Sequence, residues 1–278
     1  MTIAYLNGTW QPIEKTRVPV LDKGFMFGDG VYEVIPVYQA KPFAVEKHLA
    51  RLSKSLGAMR IAAPMSEEDW IQLFIAGISK ARVKEAIIYV QITRGVVDFR
   101  SHVYGNSDPT VLITVAPRSS ATAKPEFSLV VKEDFRWSRG YIKTISLAAN
   151  TLVRNEAIAE GYDDAILIRN GIVTEASSSN VFIVKDGEIA TPLANNYLLH
   201  GVTRSLVLDL SKQEGIPIKE RDIYLEELSE ADEVWITATT IEIQPVHRIN
   251  DQIVGNGKDG PLFKKIYRSF RELVCQSV

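Results

Sequence analysis

The chain has 278 residues, a formal net charge of −2 and a hydrophobic content of 46%. This near-neutral balance gives no electrostatic argument for a nucleic acid or an anionic membrane as partner, and the composition excludes a disordered chain. The one cysteine, Cys275, excludes an internal disulfide. The N-terminus lacks the basic segment followed by an apolar stretch that marks a signal peptide. No run approaches the ~18 apolar residues that are needed to cross a bilayer. We therefore expect a cytoplasmic protein.

The first 116 residues have the pattern of strands and amphipathic helices in irregular order. Alternating apolar residues and turn dipeptides such as Asn7-Gly8 predict strands, whereas apolar residues three and four apart predict helices. The elements predicted here are hairpins at 3–13 and 30–45, helices at 46–59 and 66–82, and strands at 86–95 and 111–116.

Residues 117–125, PRSSATAKP, are small and bounded by prolines, as is typical of a linker. The elements predicted beyond them are strands at 127–134, 141–147, 164–170, 171–175, 181–191, 216–221, 231–240 and 242–251, and helices at 151–161, 202–214 and 260–275. Because strands and helices mix without regular βαβ alternation, we expect an α+β or α/β fold of two domains. A small N-terminal domain is predicted at 1–116 and a larger C-terminal one at 126–278, with the active site between them.

Lys143 is the charged residue of the predicted strand at 141–147. In a strand it shares a face with Tyr141, Ile145 and Leu147. The simplest interpretation is a lysine that buries its stem and keeps its ammonium in water. The alternative is a partly desolvated amine, a nucleophile suited to Schiff-base chemistry. The pattern alone favours the first.

Several segments have residue types that bind phosphate or a cationic ring, although each is also common in ordinary loops. Glu175 precedes the small residues 176–180, and Gly201 precedes a helix that begins with Val202 and Thr203. Backbone amides at a helix start can bind a phosphate, as can the hydroxyls of Thr239 and Thr240 at a strand end. Arg51, off the leucine stripe of its helix, is by itself an ordinary solvated arginine.

Arg100 and His102 are two residues apart and point the same way if the segment is extended. A guanidinium and an imidazole on one side can bind a carboxylate, although a polar loop explains the pair equally well. The four histidines lack metal-ligand spacing, so no metal site is expected.

These segments occur together and in this order in one family. The chain resembles the fold type IV pyridoxal phosphate enzymes, which include D-amino acid and branched-chain aminotransferases, and within them it resembles the D-amino acid aminotransferases most. The resemblance covers nearly the whole chain. It rests on FGDGVYEV (27–34), EKHLARL (46–52), TRG (93–95), IKTISLAANTL (142–152), GYDDAIL (161–167), VTEASSSNVF (173–182), GVTR (201–204) and TATT (237–240).

The resemblance implies a role for each matching residue. Lys143 would form the internal aldimine with pyridoxal phosphate and move a proton, and Glu175 would pair with the pyridinium nitrogen. The other cofactor-binding residues that it implies are Arg51, Ser179, Leu199, Val202, Thr203, Thr239 and Thr240. Tyr32, Arg100 and His102 would bind the substrate α-carboxylate, with Arg100 and His102 reaching the partner's site in a homodimer.

The implied function is ping-pong transamination of D-amino acids, such as D-alanine or D-glutamate, with a 2-oxo acid such as 2-oxoglutarate. Alternatives within the family are an (R)-selective amine aminotransferase, a branched-chain aminotransferase and an enzyme similar to aminodeoxychorismate lyase. Outside it stand a cofactor-free Schiff-base aldolase that uses Lys143 alone and a non-enzymatic binding protein. Ala176, where glycine is common, and Val97-Asp98-Phe99 before the arginine leave the substrate breadth open.

Overall fold

A computed structural model describes residues 2–118 and 124–277, and the chain divides into two units. The first contains the described residues up to 118 together with Ile142–Ser146 and Ser277; the second contains residues 124–141 and Leu147–Gln276. Most of the predicted linker, residues 119–123, lies outside the described residues. Among the residues described, no helix has the length and apolarity that crossing a membrane requires.

In the described part of the first unit, strands form one antiparallel sheet. The elements are β1 (Ile3–Leu6), β2 (Thr9–Pro12), a 3-10 helix (Ile13–Lys15), α1 (Lys23–Phe27), β3 (Gly30–Tyr38), β4 (Lys41–Pro42), α2 (Val45–Met59), α3 (Glu67–Ala81), β5 (Ala86–Thr93) and β6 (Thr110–Pro117). The strand order is β2-β1-β6-β5-β3-β4, and every pairing is antiparallel. The predicted hairpins, helices and strands of this unit are confirmed.

The two long helices of the first unit follow from local sequence. The predicted stripe of α2, Leu49, Leu52 and Leu56, is buried, and this helix lies against β3. At the start of α3, Ser66 Oγ accepts from the Asp69 backbone and the Asp69 carboxylate accepts from the Ser66 backbone, which forms a capping box. These two helices therefore cover one face of the sheet that contains β3.

In the described part of the second unit, strands form two mixed sheets. The elements are β7 (Ser128–Glu133), α4 (Ala148–Ala159), β8 (Asp164–Arg169), β9 (Ile172–Ala176), β10 (Asn180–Lys185), β11 (Glu188–Thr191), α5 (Val202–Gln213), β12 (Ile218–Glu220), α6 (Glu227–Glu230), β13 (Glu233–Ala238), β14 (Glu242–Val246), β15 (Arg248–Ile249), β16 (Gln252–Ile253) and α7 (Pro261–Gln276). The sheet orders are β12-β11-β10-β13-β14 and β16-β15-β7-β8-β9.

The core of the second unit joins its two sheets. Leu129 and Ile166 from one sheet pack in one cluster with Val181 and Ile236 from the other. The α4 helix covers the opposite face of β7 and β8, where Val153 packs with neighbouring apolar residues. Because β8 is covered on both faces, its sequence is a continuous apolar run rather than an alternating one.

The structure corrects two predicted strands. The strand predicted at 141–147 is wrong, because only Thr144 makes a β-bridge, to Val31. The strand predicted at 242–251 is interrupted at His247. The part before His247, β14, pairs with β13, whereas the part after it, β15, pairs with β7 in the other sheet. The short helices α1 and α6 were not predicted, because one turn carries too little periodicity.

Candidate active site

Lys143 lies at the centre of a tight turn. The Thr144 amide donates to the Ile142 carbonyl at 2.8 Å, which closes a three-residue turn around Lys143. The Lys143 amide donates to Ser55 Oγ at 3.1 Å, and its carbonyl accepts from the Tyr32 amide at 2.9 Å. The backbone of Lys143 is therefore fixed to both α2 and β3.

The amine of Lys143 lies against an aromatic ring. Its Nζ is 4.1 Å from the centroid of the Tyr32 ring, and the side chain is half-buried. Tyr32 is itself 5.7 Å from the ring of Tyr89. A ring beside the amine reduces its contact with water, which suits a lysine that must act as a nucleophile.

Arg51 is held by Glu33, a buried carboxylate that the sequence did not single out. Arg51 donates from Nε to Glu33 Oε1 at 2.7 Å and from Nη2 to Oε2 at 2.9 Å. His48 Nδ1 lies 2.9 Å from Oε2. Burial acts to raise the pKa of Glu33, but the charge and hydrogen bonds of Arg51, with those of His48, hold that pKa well below its usual value. The guanidinium of Arg51 is thus fixed in one orientation.

The histidine of this cluster supplies a pH-dependent prediction. Burial lowers the pKa of His48 below its usual 6.5, against the hydrogen bond to Glu33, which raises it. The unfolded state then takes up a proton first, so the free energy of unfolding falls as the pH drops below about 6.5. We expect denaturant unfolding to show a steeper loss of stability from about pH 7.5 to about pH 5.5 in the wild type than in His48→Gln, whose amide still donates to Glu33. Equal slopes in the two proteins would contradict this account.

Glu175 is surrounded by donors in the second unit. Arg136 Nη1 donates to its Oε1 at 2.5 Å, while the Leu199 amide and Asn180 Nδ2 donate to its Oε2 at 3.0 and 3.2 Å. Burial raises the pKa of Glu175, and the charge and hydrogen bond of Arg136 oppose the shift. Arg136 and these two donors, rather than water, therefore stabilise the ionised form of Glu175 against the effect of burial.

Arg136 and Asp134, which support Glu175, were missed by the sequence reasoning. Arg136 donates from Nε to Asp134 Oδ1 and from Nη2 to Asp134 Oδ2, both at 2.9 Å. Thr174 Oγ1 donates to Asp134 Oδ2 at 2.8 Å. All three side chains of the row Asp134–Arg136–Glu175 are buried. The signal in the sequence was two opposite charges, two residues apart, directly after β7.

The start of α5 is fixed against the same group of residues. Asn180 Nδ2 also donates to the Leu199 carbonyl at 2.8 Å, and a Cβ at Gly201 would overlap Asn180 Oδ1. Glycine is therefore required at the residue that precedes the helix. Val202 and Thr203, the first helical residues, are buried. The first amides of a helix have no intrahelical acceptor and commonly bind anions.

Two buried hydroxyls close to Asn180 have no hydrogen-bond partner within the described part of the chain, namely Ser179 Oγ and Thr237 Oγ1. Ser179 precedes Asn180, and Thr237 is opposite Asn180 in the β10–β13 pair. An unsatisfied buried hydroxyl costs about 1–3 kcal/mol, so a ligand with acceptor oxygens is favoured here. Thr237 was not predicted, whereas Thr239 and Thr240 lie in the turn that follows β13, half-buried and exposed respectively.

Each unit, taken by itself, contains groups that fit part of pyridoxal phosphate. The first unit provides an amine, Lys143, and a fixed guanidinium, Arg51. The second provides the carboxylate of Glu175 for a pyridinium nitrogen, together with helix amides and unpartnered hydroxyls for a phosphate.

Arg100 and His102 meet on one aromatic ring. Arg100 Cζ lies 4.7 Å from the centroid of the Phe27 ring, and the His102 ring lies 5.0 Å from it. Both side chains are exposed, in the loop between β5 and β6. Tyr32, the third residue predicted with them, lies beside Lys143. The structure thus brings two of the predicted carboxylate-binding residues together on a residue of α1.

Comparison with known proteins gives consistent matches over nearly the whole chain. The family described as amino-transferase class IV matches residues 30–249. D-alanine aminotransferase of Listeria monocytogenes is 38% identical over 269 residues, which cover 95% of this chain and 93% of that protein. D-alanine aminotransferase of Staphylococcus haemolyticus is 33% identical over 278 residues, 99% and 98% of the two chains.

Solved structures agree with these matches. The branched-chain amino acid aminotransferase from Escherichia coli has a TM-score of 0.89 at 27% identity, over 98% of this chain and 93% of that one. The branched-chain aminotransferase of Thermoproteus uzoniensis with norvaline has a TM-score of 0.91 at 26% identity, over 99% and 95%. The predicted fold type IV architecture and cofactor are confirmed. The chain belongs to the class IV aminotransferases and is a pyridoxal phosphate-dependent enzyme.

Proposed function

We propose that this enzyme transfers the amino group of D-amino acids, D-alanine among them, to a 2-oxo acid such as 2-oxoglutarate. The observation that carries the proposal is the placement of Arg100 and His102 on the ring of Phe27. A guanidinium and an imidazole at one place can hold the α-carboxylate of an amino acid, which a simple amine lacks. The D-alanine aminotransferases among the relatives support the same substrate class.

The residues of the first unit act on the substrate amine and on the phosphate. Lys143 would receive the proton from the substrate α-carbon and return it in the product, with the Tyr32 ring limiting the access of water to its amine. Arg51, held by Glu33, would bind a phosphate oxygen. When bound, pyridoxal phosphate supplies the electron sink that this proton transfer requires.

The residues of the second unit hold the ring and the rest of the phosphate. Glu175, paired with Arg136, would hold the proton of the pyridinium nitrogen, and Leu199 would pack on the ring. The remaining phosphate contacts would come from the amides of Val202 and Thr203 and from hydroxyls at Ser179, Thr237, Thr239 and Thr240. Of these hydroxyls, Ser179 and Thr237 have the strongest support, because each is buried without a partner among the described residues.

Arg100 and His102 would serve the site of the partner subunit in a homodimer. Their loop has exposed apolar side chains: Phe99, Val103 and Tyr104 are 70%, 75% and 56% exposed. Neighbouring exposed apolar residues mark surfaces that contact another protein. A second copy of this chain would cover them and receive the two carboxylate-binding residues.

The test is a transamination assay of the purified holoenzyme with 2-oxoglutarate as acceptor and D-alanine, L-alanine, L-leucine or (R)-1-phenylethylamine as amino donor. We expect D-alanine to react with 2-oxoglutarate as acceptor and L-alanine not to. For Arg100→Gln, we expect KM for D-alanine to rise about 10- to 100-fold, because a charged hydrogen bond contributes about 1.5–3 kcal/mol. The KM for (R)-1-phenylethylamine should change far less. The proposal would be overturned if the enzyme reacted with L-leucine but not with D-alanine. It would also be overturned if Arg100→Gln lost activity equally on D-alanine and on (R)-1-phenylethylamine.

A further inference from the structure

Lys23 is a fully buried lysine at the start of α1, with 1% of its surface exposed. Its Nζ donates to the carbonyl of Ser101 at 3.0 Å and to the carbonyl of Val103 at 2.6 Å. A buried ammonium is costly unless hydrogen bonds replace its water. Here the acceptors belong to the backbone of a distant loop, and they flank His102 on both sides.

The same helix also contacts the side chains of that loop. The side chains of Arg100 and His102 pack on the ring of Phe27, at the other end of α1. The Lys23 ammonium lies 5.8 Å from the centroid of the Phe27 ring and 5.9 Å from that of Tyr104. Helix α1 thus holds the backbone of the loop through Lys23 and its two functional side chains through Phe27.

The helix is a rigid support because it is attached to the end of β5. Asp22, completely buried, accepts from the Gly24 amide at 2.7 Å and from Thr93 Oγ1 at 2.9 Å. The Lys23 amide donates to the Gly95 carbonyl at 3.0 Å. A Cβ at Gly24 would overlap the Thr93 side chain, so the helix and the strand are in close contact. The ammonium is therefore a fixed point relative to the sheet.

Within its own chain, the loop has little side-chain burial to fix it. Phe99, Arg100, His102 and Val103 are all exposed. Segments with few buried apolar contacts open easily, so hydrogen bonds from outside the segment decide how well its conformation is held. The ammonium of Lys23 supplies two such bonds at the residues on either side of His102.

We infer that Lys23 is a positioning residue for substrate-carboxylate recognition. By holding the carbonyls of Ser101 and Val103, it sets where His102 and Arg100 point. The inference rests on the proposed function and deepens it, because it assigns part of the specificity for amino acids over simple amines to a side chain that does not touch the substrate. A misplacement of about 1 Å is enough to cost a site much of its efficiency.

The experiment measures the ratio of kcat/KM for D-alanine to kcat/KM for (R)-1-phenylethylamine in the holoenzyme. Lys23→Met keeps the apolar stem and removes the donor, and Lys23→Gln, which keeps a shorter neutral donor, is the second variant if the first does not fold. We expect either to lower the ratio about tenfold, mainly through KM for D-alanine, with cofactor absorbance unchanged. Lys80→Met, at an exposed lysine of α3, is the matched control and should leave the ratio as in the wild type.

A double-mutant cycle with Arg100→Gln separates the possible results. If Lys23 acts through Arg100, the losses of the two single variants on D-alanine will not add in the double variant. If the ratio is unchanged in the Lys23 variants but lowered in Arg100→Gln, the inference about Lys23 is overturned and the proposed carboxylate site stands. A ratio unchanged in Arg100→Gln would overturn the proposed carboxylate site instead. Additive losses would also count against Lys23, since they indicate an effect that is independent of Arg100.

Discussion

Lys143→Ala is expected to lower kcat for D-alanine transamination by roughly 10³-fold or more, because the variant lacks the amine that we propose moves the substrate proton. The turn around residue 143 is held by backbone hydrogen bonds from Tyr32 and to Ser55, so the fold should survive the change. Methylamine in the assay should restore part of the rate, since a small amine can enter the space beside the Tyr32 ring. The measurement is single-turnover kinetics with and without methylamine.

The control for this variant is chemical as well as kinetic. Borohydride should attach the cofactor covalently to Lys143 in the wild type, as located by mass spectrometry of peptides, and should leave Lys143→Ala unlabelled. Ser55→Ala, which removes only the acceptor of the Lys143 amide, should lower kcat much less. A Lys143→Ala enzyme within tenfold of the wild type, or a label on another lysine, would rule out Lys143 as the amine.

Local patterns predicted most of the elements because those elements depend on neighbours in sequence. The leucine stripe of α2 and the capping box at Ser66 are complete within one helix. Local patterns gave the wrong element around Lys143, where the alternation of side chains over residues 141–147 indicated a strand. The hydrogen bonds of that segment go to Gly30 and Tyr32 on β3, more than a hundred residues earlier, and no local pattern reveals them.

The supporting charges of the candidate site were missed for the same reason. Glu33 and Arg51 are each ordinary in their own element, and only the packing of α2 on β3 joins them. The helix pattern alone predicts a solvated Arg51, and the resemblance predicts that Arg51 binds phosphate, but neither predicts its pairing with the buried carboxylate of Glu33. The residues for which we propose direct roles lie in recognisable motifs, but those proposed to act through others, such as Lys23 and Arg136, are identified only by their contacts.

The second large effect is expected at Arg136. Arg136→Met leaves the buried carboxyl group of Glu175 without its cation and leaves that of Asp134 with Arg169 alone, whose Nη2 is 3.3 Å from Oδ1. Breaking a buried ion pair in this way costs about 3–5 kcal/mol of stability, to be measured by denaturant unfolding. Without the guanidinium, the largest influence that opposes burial is lost, although the Leu199 amide still donates to Glu175, so the pKa of Glu175 rises further. Since the carboxylate is the form that we propose holds the pyridinium proton, the acid limb of the kcat profile should move to higher pH.

Arg139→Met is the matched control, because Arg139 lies three residues away and is exposed. It should change neither the stability nor the acid limb measurably. Arg136→Lys keeps the charge but not the bidentate contact with Asp134, so it should restore part of the pH profile and less of the stability. If Arg136→Met loses stability but keeps the wild-type acid limb, Arg136 stabilises the fold without tuning Glu175. A shift in the acid limb that Arg136→Lys partly reverses is the result that a purely structural arginine does not produce.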